Sequence, residues 1–114
     1  MTNTALKTTS IQDAITEMVR RIVTRFNPDK IILFGSHAHG QAGPDSDVDL
    51  LIVMPVEGSK RRKATEIDGA LSDRRIPLDL IVVTPDEFEA YRDAPGTVIR
   101  TASQEGQVFY KRAA

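Results

Sequence analysis

The chain contains no cysteine. Disulfides, thiolate metal sites and cysteine nucleophiles are therefore all excluded. It also lacks any apolar run near the roughly 20 residues that cross a bilayer, so no membrane association is expected. The first residues, MTNTALKTT, carry none of the apolar core of a secretion signal. A flexible N-terminal tail over residues 1–9 and a cytoplasmic location are the expectation. Nor is charge of one sign in excess: 15 Lys and Arg against 16 Asp and Glu leave a net charge of −1. That balance supplies no basic face for a long nucleic acid, and no stable nucleic-acid binding is expected. A single nucleotide carrying its own metal ions is not excluded. There is no Gly-Lys-Ser/Thr ending of a Walker P-loop, and no internal repeat, low-complexity tract or linker.

What is present suits one globular domain, expected over residues 10–112: 114 residues, 40% hydrophobic and 27% charged. From Ile11 to Phe26 the apolar residues recur at helical spacing, predicting an amphipathic helix with Ser10 as cap and Asn27-Pro28 as stop. Lys30–Phe34, Asp49–Met54 and Pro77–Val83 read as buried strands, the second apolar enough to be covered on both faces. Ser59–Leu71 reads as a helix. Thr84-Pro85-Asp86-Glu87 opens another, with a Thr cap and Glu at the third position. A short helix from Thr97 to Gln104, stopped by Gly106, and a closing strand Val108–Tyr110 complete the chain. This order predicts an α/β (α+β) domain of two or three layers, a small mixed sheet flanked by helices.

Within it, Asp47 and Asp49 stand one residue apart at the head of a strand, and Asp79 lies inside the next. Side chains two apart on a strand share a face, about 6.6 Å apart along the backbone. Like charges so placed repel and resist desolvation. If the two strands are adjacent, three carboxylates meet at one end of the sheet. Hard cations are the natural counterweight, since Mg²⁺ commonly takes a few carboxylates together with substrate phosphates. Two such ions about 4 Å apart can activate a hydroxyl and stabilise a leaving pyrophosphate. Taken singly, Asp47 could be a turn cap and Asp49 a solvent-facing charge. Asp45, Asp47 and Asp49 also imitate the start of a calcium loop, but Leu50 and Val56 stand where that loop needs Gly and Glu.

The combination is more specific than its parts. Gly35-Ser36, ten further residues, then Asp-x-Asp leading an apolar strand resembles the signature of the DNA polymerase beta-like nucleotidyltransferases. The resemblance runs from IILFGS through SDVDLLIV to PLDLIVVTP and EGQVFYKR. It is strongest to the minimal nucleotidyltransferases that act as antitoxins of HEPN toxins. It implies that Gly35, Ser36, Gly40 and Ser46 bind the nucleotide, and that Asp47, Asp49 and Asp79 form the catalytic, metal-binding set for two Mg²⁺ ions. Asp79 would help to deprotonate the attacking hydroxyl.

Where family members commonly carry arginines in the turn, this chain has His37 and His39, which supply less fixed charge to phosphates at pH 7. The Lys60–Lys63 basic run is either a solvated helix face or a phosphate or partner contact. No acceptor-binding domain is expected in the remaining sequence, so the acceptor should be small or presented by a partner. The resemblance implies transfer of AMP from ATP to a Tyr, Ser or Thr hydroxyl of a HEPN ribonuclease toxin encoded by a neighbouring gene. The alternatives are a non-catalytic module that neutralises the toxin by covering it, and transfer to a small molecule. Self-association and assembly with the toxin both stay open.

Overall fold

A computed structural model describes residues 3–43 and 45–113, with side chains from Ile11 onward. Its elements, in chain order, are α1 (Asn3–Phe26), β1 (Lys30–Phe34), a 3-10 turn (Ser36–His39), β2 (Val48–Val53), α2 (Lys60–Ala70), β3 (Leu78–Val83), α3 (Pro85–Tyr91), α4 (Val98–Glu105) and β4 (Gln107–Lys111).

The strands form one mixed sheet in the order β3-β2-β1-β4. β1 runs antiparallel to both β2 and β4, whereas β2 and β3 are parallel and joined through α2. Alternation of side chains sorts the sheet into two apolar layers. Ile31, Leu33, Leu50 and Ile52 pack with Ile15, Met18 and Ile22 of α1 and Ile67 of α2. Ile32, Phe34, Leu51, Val53 and Val83 pack with Phe88 of α3 and with Ile99 and Ala102 of α4. The domain thus has three layers, with β2 fully covered from Leu50 to Val53.

Local chemistry explains the boundaries. Ser59, Thr84 and Thr97 each accept a backbone N–H from three residues on, capping α2, α3 and α4. At α3 the box is complete, because the Glu87 carboxylate accepts the Thr84 N–H in return. Asn27, at φ 49°, ends α1 in the left-handed conformation that Asn tolerates best after Gly.

One boundary moves substantially. α1 starts at Asn3, so Ser10 lies within it and residues 3–9, expected as tail, are helical. Residues 3–9 contain neither Pro nor Gly, and a helix once nucleated propagates through such residues at little cost. Met1 and Thr2 of the expected tail, and the Ser10 side chain, lie outside the described residues. No helix among the described residues is long and apolar enough to cross a membrane.

Candidate active site

The sheet fixes the carboxylates in three steps. Asp49 is the second residue of β2, and it faces the same side as Leu51 and Val53. In the parallel pairing its register partner is Asp79 of β3. The backbone N–H of Val48 donates to the carbonyl of Pro77 at 2.9 Å, which locks the two strand starts together. Asp47 sits just before β2, exposed, as is Asp79; Asp49 is half-buried.

The electrostatics record this convergence. Partial burial foremost, then the charges of Asp79 and Asp47, hold the Asp49 carboxyl above the ordinary aspartate range, while His37 acts in the opposite direction. Among the described residues no three His, Asp or Glu side chains close together onto a single cation point. The chemistry of the three carboxylates fits a hard divalent cation: oxygen donors only, from Asp47, Asp49 and Asp79, with a mutual repulsion that a cation would relieve.

The remaining wall is backbone. Gly35 follows β1 directly, at φ 77° and ψ −159°. A Cβ on Gly35 would collide with Oδ2 of Asp49. Only glycine fits: it alone adopts this conformation cheaply, and it alone leaves the carboxylate its place. From there the chain makes a 3-10 turn, with the Ala38 N–H donating to Gly35 O at 3.0 Å and the Gln41 N–H to Ser36 O at 3.0 Å. Gly40 closes it in the left-handed region.

The loop back to β2 is held by its own side chains. Oγ of Ser46 accepts the Gly43 N–H at 2.8 Å, and Nε2–H of His37 donates to the Ser46 carbonyl at 3.1 Å. Ser46, expected to meet the nucleotide, therefore also shapes the loop, and its hydroxyl proton remains to be donated. His37 ties one arm of the loop to the other, whereas His39 is exposed. From β4, Gln107 Nε2–H donates to the Ala38 carbonyl at 2.6 Å, a brace that no local pattern in the sequence discloses.

The basic run divides by partner. Lys60 pairs with Glu87, bridging the starts of α2 and α3. Lys63 pairs with Glu66 at 3.0 Å and lies 5.8 Å from the centre of the Phe26 ring. Arg61 borders an open groove of about 240 Å³ that also contains Asp79, Thr65 and Leu80.

The sequence model of the nucleotidyltransferase domain matches residues 15–108. Among solved structures, a mutant of the MntA–HepT toxin–antitoxin pair is similar at 15% identity and TM-score 0.57, over 84% of this chain and 72% of that one. A toxin–antitoxin structure with AMP-PNP is similar at 18% identity and TM-score 0.56, over 85% and 73%. A Sulfolobus solfataricus protein assigned as a nucleotidyltransferase is similar at 24% identity and TM-score 0.55, over 88% and 79%. At these identities the structural likeness speaks for a shared fold.

Proposed function

Because the chain belongs to the nucleotidyltransferase domain family, we propose that it transfers AMP from ATP to a hydroxyl side chain of a HEPN-type toxin and thereby acts as its antitoxin. The observation that carries the chemistry is the register pair Asp49 and Asp79, with Asp47 beside it and the Gly35 backbone against Asp49. Similarity to toxin–antitoxin structures, one of them with AMP-PNP, supports the choice of nucleotide and partner.

In this reading Asp47 and Asp49 would hold two Mg²⁺ ions, with Asp79 completing the set. The ions, when bound, supply charge stabilisation at the phosphates and at the leaving pyrophosphate. The chain's own residues do the rest. The Gly35–Ser36 backbone and the Ser36 hydroxyl bind phosphate oxygens, and Gly40 lets the turn close beneath them. Asp79 accepts the proton of the acceptor hydroxyl. The acceptor oxygen then forms its bond to the α-phosphorus as the bond to pyrophosphate breaks.

Asp79 is exposed on β3, an edge strand. An acceptor can approach it from solvent, as a hydroxyl on a protein surface must. The test is incubation with ATP labelled at the α-phosphate, with and without the neighbouring-gene product. Incorporation into that product, dependent on Mg²⁺ and lost in Asp47→Asn and Asp49→Asn, is the expected result. Silencing of the toxin without incorporation would replace transfer by simple binding.

A further inference from the structure

The other end of the same sheet face carries a feature that the transfer reaction does not use. Lys30 opens β1, Val53 closes β2 and Lys111 closes β4, and the three are register neighbours across the sheet. Together with Pro85, Phe88 and Glu89 they line a pocket of about 430 Å³. Val53 lies four residues along β2 from Asp49, about 13 Å at strand spacing, so this pocket is separate from the carboxylates. The apolar layer of Leu51, Phe34 and Ile99 fills the space between.

Two lysines directly opposite each other on antiparallel strands are an unfavourable pair. Nearby acids relieve it only in part, since both have an arginine partner of their own and only Glu89 acts on Lys30, as the weakest of the charges around it. Glu89 pairs with Arg92 at 3.3 Å and Asp29 pairs with Arg112 at 2.5 Å, whereas neither Lys30 nor Lys111 has an ion pair among the described residues. Lys30 Nζ instead lies 4.6 Å from the centre of the Phe88 ring, with the Arg92 guanidinium 5.5 Å from the same ring. Partial burial foremost, then the charges of Lys111 and Arg92, hold the Lys30 ammonium below the ordinary lysine range, while Glu89 acts in the opposite direction. So the sheet gathers two ammoniums, neither in an ion pair among the described residues, at a concave, apolar-floored site.

We propose that this pocket binds a phosphate group, held between the Lys30 and Lys111 ammoniums over a floor of Val53, Pro85 and Phe88. A phosphate group carries about −1.5 to −2 charge at pH 7, which matches two ammoniums. Lysine binds phosphate as a point charge and needs no planar fork, unlike the bidentate pairing that arginine makes with carboxylates.

The experiment is a titration with inorganic phosphate at pH 7 and low ionic strength, followed by amide chemical shifts of the whole chain. Amides of Lys30, Val53, Phe88 and Lys111 should shift together and saturate. Affinity should fall about ten-fold or more in Lys30→Gln and in Lys111→Gln, and recover in Lys111→Arg. Lys111 is exposed, so its variants test the site even if Lys30→Gln disturbs the packing on Phe88. Phenyl phosphate and inorganic phosphate, compared in the same way, separate an esterified phosphoryl group from the free ion, and tighter binding of either upholds the site. Unchanged affinity in Lys111→Gln would overturn the proposal. So would shifts confined to the Gly35–Ser36 turn, or equal binding of succinate, which carries the same charge on carboxylates.

Discussion

Asp49 and Asp79 stand opposite each other on parallel strands, and the Gly35 backbone closes one side of Asp49. A fold that seeks only stability does not put two carboxylates in register at the start of its central strand. Like charges directly opposite in a sheet cost roughly 0.2–1 kcal/mol. Removing one should therefore stabilise the protein in the absence of metal. Asp49→Asn is expected to melt at a higher temperature than the wild type in chelator. Adding Mg²⁺ with a nucleotide should raise the wild-type melting temperature, and that of the variant much less, through linkage. A lower melting temperature for the variant in chelator would show that Asp49 is a structural acceptor.

Gly35 and Gly40 make a second, internal comparison. Both have positive φ, but a side chain on Gly35 meets Asp49 whereas one on Gly40 meets nothing within 4 Å. Gly35→Ala should cost about 1–3 kcal/mol from backbone strain alone, with the collision added to it. It should also displace the carboxylate and abolish nucleotide binding. Gly40→Asn, in a left-handed conformation that Asn tolerates, should fold with little loss. Urea denaturation and nucleotide calorimetry on the two variants check both statements.

How much of this was legible beforehand follows from where each signal resides. Strands β1 and β3, the capping box at Thr84, the helix starts at Ser59 and Thr97 and the stop at Gly106 are local, and the sequence displays them within a few residues. The pairing of Asp49 with Asp79 is tertiary. Alternation places Asp47 and Asp49 on one face, but only the strand order brings Asp79 beside them. The Gly-Ser turn was readable as a turn, yet the Asp49 carboxylate that any side chain at Gly35 would displace comes from a strand 14 positions away. Gln107 and His37 brace the loop through backbone carbonyls, which leave no mark on a side-chain pattern. The same holds for Lys60, whose partner Glu87 is 27 residues distant.

That last pair gives a pH prediction. The Lys60 ammonium foremost, with the Thr84 N–H, holds the Glu87 carboxyl below the ordinary glutamate range. A carboxylate with a depressed folded-state value stabilises the protein above its unfolded value and loses that contribution as pH falls through the folded one. The loss should therefore appear below about pH 4.3, the ordinary glutamate value. Glu87→Gln keeps an acceptor for the Thr84 N–H but removes the ion pair. It should cost about 0.2–1 kcal/mol at pH 7, as exposed pairs do, and it should flatten the acid limb of the stability curve. Denaturation series from pH 7 to pH 3 on both proteins measure the difference, and parallel curves would count against the pair.

Asp79 separates catalysis from binding. It is exposed, it belongs to an edge strand, and it borders the groove beside Arg61, so its replacement should leave the core intact. If it takes the proton from the acceptor hydroxyl, Asp79→Asn should lower AMP transfer to the toxin by about 10²–10⁴-fold. Affinity for the toxin should change little, because the rest of the surface is untouched. Asp79→Glu keeps the base but moves it by a methylene, and good positioning carries much of the rate. It should fall between the two. Label placed at the γ-phosphate should never reach the toxin in any variant, since it leaves with pyrophosphate. Transfer rates and toxin affinities measured side by side decide the matter. Equal rates for Asp79→Asn and the wild type would remove Asp79 from the chemistry, while a matching loss of toxin affinity would make it a docking residue.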